Sequence, residues 1–253
     1  MKLALQTQGL TRHFGDLTAV DSVDLVVPAG GFYGFLGPNG AGKSTTIKCL
    51  TGLLRPSAGE IRILDLDPLE NPVAVKKQTG VLPEDLALFD RLTATETLGF
   101  VGQIHGLDRA TLEQRSEELF ALMDLADRKD SLVTDFSHGM KKKLALAVAL
   151  LAAPKLLFLD EPFEGIDAVA SQQIRNLLKS YVARGGTIFL TSHILQIVET
   201  LCDQIGVIQH GRLIAQGSMD EMRRGTDGRT LEQIFLELVG AEAEASSALD
   251  WLT

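Results

Sequence analysis

A glycine-rich segment near the start of the chain, Gly37-Pro38-Asn39-Gly40-Ala41-Gly42-Lys43-Ser44-Thr45, has the spacing of a phosphate-binding loop. Its glycines let backbone N–H groups close around phosphate oxygens, and a helix that starts there points its positive dipole end at the same anion. In this spacing we expect Lys43 to reach the β- and γ-phosphates of a nucleotide and the Ser44 hydroxyl to bind Mg²⁺. A buried strand, Phe32–Leu36, is predicted directly before the loop, which favours this interpretation over a chance glycine-rich turn.

Two carboxylates, Asp160 and Glu161, follow the apolar block 156–159. At the end of a buried strand Asp160 can hold the Mg²⁺ that bridges the β- and γ-phosphates, and Glu161 can orient or deprotonate an attacking water. An acidic cap on a strand is the structural alternative for such a pair, and the glycine-rich loop makes the catalytic interpretation the stronger one. His193 follows a further apolar block, 187–191, at a sheet edge where ligands bind, although a lone histidine is more often structural.

The pattern of apolar residues predicts the elements that must position these groups. Continuous apolar blocks at 32–36, 156–159 and 187–191 indicate strands that are buried on both faces of a mostly parallel sheet. A helix between the last two blocks completes a βαβ crossover. The residues at helical spacing are Ile174, Leu177, Leu178, Tyr181 and Val182 in that helix, and Ile47, Leu50 and Leu53 on the inner face of the helix after the glycine-rich loop.

The middle of the chain has helical periodicity and little strand signal. We expect an all-helical lobe at 91–153 to be inserted into an α/β core made of 1–90 and 154–220, with a helical tail at 221–253. In the lobe, one helix face is predicted to consist of Leu112, Leu119, Leu122 and Met123, and a second helix to run from 139 to 153. The small, acidic segment 241–248 is expected to be a frayed end.

Composition excludes several classes of protein. The 253 residues are 45% apolar, enough for a sizeable core, and the net charge of −9 gives no overall footprint for nucleic acid, so no nucleic-acid partner is expected. The two cysteines, Cys49 and Cys202, lie far apart beside apolar residues, which indicates a reducing compartment. The longest apolar run has ten residues, whereas a membrane-spanning helix needs about 20, and the first residues lack a secretory signal pattern. These features predict a cytoplasmic protein.

Taken together, these motifs resemble those of the ATP-binding subunits of ABC transporters, along nearly the whole chain. The resemblance implies a single ABC ATPase domain: a P-loop NTPase core with a mostly parallel sheet, an N-terminal antiparallel β region and the inserted all-helical subdomain. It implies ATP and Mg²⁺ as ligands, with Lys43, Glu161 and His193 as catalytic residues and Ser44, Asp160 and Glu84 as metal ligands. The nucleotide-binding residues it implies are Phe14, which stacks on adenine, Gly37, Asn39, Gly40, Ala41, Gly42, Lys43, Ser44 and Thr45 of Walker A, and Ser137, Gly139 and Asp167, which face a second subunit.

Two segments depart from the family pattern. The signature sequence, L-S-G-G-Q in the family, appears as Phe136-Ser137-His138-Gly139-Met140. Ser137 is a good N-cap for the next helix, and a helix start is an anion site. Lys141, Lys142 and Lys143 follow in its first turn, either as a solvated basic face or as a site that an anion visits. Glu84 occupies the position where the family usually has glutamine.

The resemblance also implies partners. Two copies would form a head-to-tail dimer with two ATP molecules between them, and a separately encoded membrane permease would hold the dimer on the inner face of the cell membrane. The L-P-E loop at Glu84, the signature segment and the stretch 230–238 resemble bacterial exporter-type ATPases, including multidrug and antibiotic-resistance systems. The alternative is a soluble ABC-type ATPase that acts as an assembly or regulatory factor without transport.

Overall fold

The computed structural model describes residues 2–223 and 230–240. The strands along the chain are β1 (Leu3–Phe14), β2 (Leu17–Val23), β3 (Val26–Pro28), β4 (Phe32–Leu36), β5 (Ala58–Ile63), β6 (Thr79–Leu82), β7 (Leu156–Asp160), β8 (Thr187–Ser192), β9 (Gln204–Gln209) and β10 (Arg212–Ser218). The helices are α1 (Lys43–Leu50), α2 (Pro72–Lys76), α3 (Ala94–Ile104), α4 (Arg109–Leu122), α5 (His138–Leu151), α6 (Ala168–Ala183), α7 (Leu195–Leu201), α8 (Met219–Arg223) and α9 (Leu231–Leu238).

A six-stranded sheet in the order β10-β9-β4-β8-β7-β6 forms the centre of the molecule. All of its neighbouring pairs are parallel except β10 with β9. The register pairs Leu36 with Ser192 and Asp160 with Thr191, so β4, β7 and β8 end at one edge. The residues that follow these three strands are therefore brought together, as the sequence pattern predicts.

Both faces of this sheet are buried, because successive residues of each strand point to opposite sides. In β7, Leu157 and Leu159 pack into one apolar core with helices of the helical lobe, whereas Leu156 and Phe158 pack into a second core with α1 and the first strands of the chain. Burying each such side chain fully contributes about 1.5–3 kcal/mol. This packing is what holds the site edge of the sheet in place.

A second sheet is antiparallel: β1 pairs with β2, β3 and β5. It lies against the second core, to which its residues Leu5, Val23 and Ile63 belong. The predicted mixed architecture, with a mostly parallel sheet and an N-terminal antiparallel region, is therefore confirmed.

Between β6 and β7 the chain forms the helices α3, α4 and α5 and short 3₁₀ turns. The α3 helix starts with a complete capping box, in which the Thr93 side chain and the Glu96 side chain each accept an N–H from the other residue. The boundaries proposed for the lobe and the tail, at 91–153 and 221–253, stay predictions. The segment 241–248, expected to be frayed, lies outside the described residues.

Two apolar positions differ from the prediction. Leu53 is 64% exposed, because α1 ends at Leu50 and Gly52, with a φ of +72°, turns the chain away. Leu122 is 57% exposed, whereas Leu119 and Met123 are buried. Residues four apart lie on one helix face, and Leu122 falls at the margin of that face.

Candidate functional site

The glycine-rich loop joins β4 to α1. Gly42 has a φ of +109°, and a Cβ there would lie 2.4 Å from the carbonyl oxygen of Ala19, so no side chain fits. As the residue before α1, Gly42 offers no side-chain cap to the first N–H groups of the helix. These N–H groups are available to an anion, which is what a nucleotide phosphate requires.

Lys43 is buried in this loop, at 7% exposure. Its Nζ donates to the carbonyl oxygens of Gly37, at 2.8 Å, and Pro38, at 3.2 Å. An ammonium group has three donors, and Glu161 Oε1 lies 3.9 Å from Nζ on the remaining side. The loop thus folds back on its own lysine and holds the positive charge toward the end of β7.

Asp160 ends β7 and is almost fully buried, at 2% exposure. Burial raises the pKa of its carboxyl group, while the hydrogen bond from Thr191 lowers it. Thr191 Oγ1 donates to Asp160 Oδ1 at 2.5 Å, and Ser44 Oγ donates to Glu84 Oε2 at 3.0 Å. Carboxylate and hydroxyl oxygens therefore meet beside the loop.

This donor set fits Mg²⁺, which prefers oxygen ligands and usually combines one or two carboxylates with phosphate oxygens and waters. Within the described residues, no cluster of three or more histidine, cysteine, aspartate or glutamate side chains has the geometry of a metal site. A site completed by nucleotide phosphates does not need such a cluster. Ser44, Asp160 and Glu84 are the side chains that would hold the ion.

Glu161 comes directly after β7 with a φ of +47°, in the left-handed region that side chains other than glycine rarely adopt. Its carboxylate is buried between two cationic or polar groups. Oε2 lies 3.0 Å from His193 Nδ1 and accepts the His193 backbone N–H at 3.3 Å, while Oε1 faces Lys43. A strained backbone at a carboxylate beside a phosphate loop is a recurrent feature of active sites.

These groups open into a cavity of about 530 Å³, a size that suits a small-molecule ligand. Of the predicted site residues, it is lined by Phe14, Asn39, Gly40, Gly42, Lys43, Ser44, Thr45, Glu84, Glu161 and His193. Gly37, Ala41 and Asp160 belong to the same region but do not line it. A larger cavity of about 770 Å³ lies between α4, α5 and α6 and contains none of the motif residues.

The cavity has further lining residues that sequence reasoning missed: Leu17, Thr18, Ala19, Glu164, His210 and Gly211. Glu164 had a usable signal, because it follows Glu161 by three residues on the same loop. His210 and Gly211 form the turn between β9 and β10, both with positive φ, and no motif marks them. The pairing of β9 with β4 brings that turn to the site, where the Gly211 N–H donates to the Ala41 carbonyl oxygen at 2.9 Å.

Phe14 lies at the end of β1 and is 43% exposed. The guanidinium of Arg12 lies 4.5 Å from the centre of its ring, a cation–π distance. The ring is therefore held at the rim of the cavity by a neighbour on the same strand.

The predicted dimer-facing residues Ser137, Gly139 and Asp167 do not line the cavity. Ser137 caps α5, since its Oγ accepts the Met140 N–H at 3.2 Å. Asp167 caps α6, accepting the N–H groups of Val169 and Ala170 at 2.9 Å, and these bonds, that of Ala170 first, lower its pKa. A single chain thus gives these residues local structural roles, and their part in a second copy's site stays a prediction.

The three consecutive lysines of α5 lie in different environments. Lys141 Nζ lies 3.1 Å from Asp90 Oδ1, and Lys143 Nζ lies 3.9 Å from Asp124 Oδ2. Lys142 is not solvated: it is 2% exposed, and burial lowers its pKa while the charge of Glu164 opposes that shift most. The interpretation of these lysines as a solvated basic face is therefore wrong for Lys142.

Comparison with known proteins places this geometry in a family. A family model described as ABC transporter matches residues 20–164. The chain is 38% identical to the daunorubicin/doxorubicin resistance ATP-binding protein DrrA of Streptomyces peucetius, over 97% of this chain and 74% of that protein. The chain belongs to the ABC transporter ATP-binding proteins. Members of this family are ATPases coupled to transport, and the chain is one of them.

Two further comparisons agree with this ABC assignment. The linearmycin resistance ATP-binding protein LnrL of Bacillus subtilis is 34% identical, over 91% of this chain and 74% of that protein. A solved structure titled "Structure of ATP binding subunit of ABC transporter" superposes with a TM-score of 0.88 at 33% identity, covering 93% of this chain and 99% of the other. The ABC family model includes the glycine-rich loop, Glu84, the signature segment and Glu161, whereas Phe14, Asp167 and His193 lie outside its matched range.

Proposed function

We propose that this chain is the ATP-hydrolysing subunit of an exporter, in which Lys43, Glu161 and His193 carry the hydrolytic step. One observation supports this most: the Glu161 carboxylate is held between Lys43 Nζ and His193 Nδ1 at the mouth of a phosphate-binding loop. The family relatives named for drug resistance support export over the assembly-factor alternative.

In this mechanism the chain supplies charge, orientation and a proton acceptor. Lys43 and the N–H groups at the start of α1 stabilise the charge of the transferred phosphoryl group. Glu161 accepts a proton from the attacking water at a carboxylate oxygen, and the His193 ring and backbone N–H keep that carboxylate in place. When bound at Ser44, Asp160 and Glu84, Mg²⁺ supplies Lewis-acid stabilisation of the phosphate oxygens.

The partner we propose is a separately encoded permease embedded in the membrane, which would hold the chain on the inner face of the membrane. Within the described residues no helix is long and apolar enough to cross a bilayer. An exposed aromatic pair at the edge of the helical lobe supports a docking face. Phe89, in the segment before α3, and Phe100, in α3, are 49% and 45% exposed, with ring centres 5.3 Å apart in an edge-to-face contact. Ile104, 65% exposed, lies one turn further along α3.

The test is to purify the tagged chain in detergent, to identify any membrane protein that co-purifies with it, and to measure ATP hydrolysis with and without that protein in lipid. We expect a stable complex with stimulated hydrolysis, and loss of both in Phe100→Ser. Val73→Ser, which changes an apolar residue on α2 that is more exposed than Phe100, at 65%, is the matched control and should keep both. A soluble complex that lacks any membrane protein would favour the assembly-factor alternative.

A further inference from the structure

Lys142 is a buried charge that the hydrolytic mechanism does not use. It lies in the second turn of the helix that follows the signature segment, and it is absent from the lining of the nucleotide cavity. Its Nζ donates to two backbone carbonyl oxygens, that of Glu161 at 2.6 Å and that of Glu164 at 2.7 Å. A lysine is almost never fully buried without such partners. The helical lobe is thus tied directly to the loop that carries Glu161.

The peptide groups on both sides of Glu161 are held by different elements. On one side its N–H donates to Thr191 Oγ1 of β8, at 3.0 Å. On the other side its carbonyl oxygen accepts from Lys142 of α5. Between them Glu161 keeps a φ of +47°, and such a conformation persists only where the surroundings over-determine it.

The backbone conformation of Glu161 decides where its carboxylate lies, because allowed side-chain rotamers depend on φ and ψ. With the present backbone the carboxylate lies 3.0 Å from His193 Nδ1 and 3.9 Å from Lys43 Nζ. Relaxation of Glu161 toward ordinary φ values would swing the side chain away from both groups. A misplacement of about 1 Å in a catalytic group can cost about 100-fold in rate.

We propose that Lys142 is a positioning residue for ATP hydrolysis: it holds the Glu161 peptide in the left-handed conformation and so keeps the carboxylate beside Lys43 and His193. It acts through Glu161 and does not touch the nucleotide. The proposal rests on the hydrolytic role proposed for Glu161. It also makes the helix of the signature segment a direct mechanical link to the catalytic carboxylate.

The first experiment compares steady-state hydrolysis in a graded series at position 142. Lys142→Met, with no donor, should lower kcat about 10- to 100-fold while the KM for ATP stays within about twofold. Lys142→Gln, which can donate to one of the two carbonyls, should fall between Lys142→Met and the parent. Lys142→Arg, which keeps several donors, should recover most of the activity.

The matched control is Lys155→Met, at the opposite end of β7, where the exposed Lys155 donates from Nζ to Gln78 Oε1 at 2.8 Å. This variant should keep the parent kcat. A parent-like kcat in both Lys142→Gln and Lys142→Met would overturn the proposal. So would a rise in KM with kcat unchanged.

A second experiment separates positioning from a general effect on the fold. In a Glu161→Gln background, Lys142→Met should change the residual hydrolysis by less than about twofold, because the group it positions is already absent. An equal fold-loss in both backgrounds would overturn the proposal in favour of a purely structural lysine. If Glu161→Gln alone keeps the parent rate, the role proposed for Glu161 fails first, and the proposal for Lys142 fails with it.

Discussion

The two halves of the predicted ATP site differ in how their polar groups are satisfied within one chain. In the P-loop half (residues 37–45 with Asp160, Glu161 and His193), buried charges face an open cavity, and the N–H groups at the start of α1 have no side-chain cap. In the signature half (residues 137–139 with Asp167), Ser137 and Asp167 are exposed and already cap α5 and α6. The P-loop half therefore has hydrogen-bond donors left for a ligand. In the signature half, the capping side chains already have partners within the chain and are exposed on its surface.

This difference has a simple consequence for the proposed mechanism. A single chain holds the groups for phosphate binding but does not bring Ser137 or Gly139 to them. In a two-fold dimer the same patch is used by both copies, so a head-to-tail arrangement can place each signature half over the other copy's P-loop half.

The largest effect is expected in the P-loop half. Lys43→Ala removes the ammonium that faces Glu161 and the phosphates, and should lower hydrolysis by at least about 100-fold and weaken ATP binding. Nucleotide titration and steady-state hydrolysis are the measurements. Lys48→Ala, on the exposed side of the same helix, is the control and should leave both unchanged. Near-parent hydrolysis by Lys43→Ala would remove this lysine from the site.

Mixing two inactive variants tests whether the halves come from different copies. Gly139→Asp should inactivate the signature half without disturbing the fold, since a Cβ there would meet only Ile166 Cγ2, at 4.0 Å. An equal mixture of Lys43→Ala and Gly139→Asp chains should recover roughly a quarter of the parent hydrolysis, because half of the dimers would be mixed and each would contain one intact composite site. A mixture as inactive as its parts would contradict a site shared between copies.

Glu84 lies where the core passes to the helical lobe. Its substitution should affect the coupling of ATP hydrolysis to the permease more than it affects ATP binding. Its carboxylate accepts the Ser44 hydroxyl and follows β6, where the chain enters the lobe. Glu84→Ala should keep ATP binding and lose about 10-fold of the turnover that a reconstituted permease stimulates. Asp85→Ala, an exposed neighbour, is the control. Unchanged stimulated turnover in Glu84→Ala would refute the coupling role.

The smallest effect is expected at Phe14, on the rim of the cavity. Stacking of a base on an aromatic ring is worth about 1–3 kcal/mol and discriminates poorly between bases, so Phe14→Ala should weaken ATP binding by roughly tenfold. Phe14→Tyr keeps the ring and should keep the affinity. The parent should hydrolyse GTP at a rate comparable to that of ATP. Strict rejection of GTP would reveal a base contact beyond the ring.

Sequence reasoning succeeded where function depends on local spacing and on one sheet edge. The order of residues 37–45 follows directly from what a phosphate requires, and parallel strands ending together bring Glu161 and His193 to that loop. The same reasoning correctly predicted that Ser137 caps α5, because an N-cap depends only on the residues at the start of its own helix.

Sequence reasoning failed where a residue's surroundings are formed by a segment that is distant in sequence. Three consecutive lysines in α5 have the pattern of a solvated face, yet Lys142 reaches the loop after β7, and only the packing of the lobe on the core brings the two together. Arg12 covers the Phe14 ring through strand geometry that no motif encodes. Leu53 was predicted to lie on the inner face of α1, but the helix ends at Leu50 and Gly52, with a positive φ, turns the chain away before Leu53.

In the proposed dimer, two copies of the chain close around ATP through opposite halves of the site. Glu161→Gln keeps the size of the side chain but removes one negative charge from each site and the proton acceptor for the attacking water. Because the chain carries a net charge of −9, removing charge beside the phosphates should favour closure while hydrolysis slows. Gel filtration with light scattering of Glu161→Gln should show a dimer with ATP and a monomer with ADP. A monomer in both nucleotides would contradict closure of two copies around ATP.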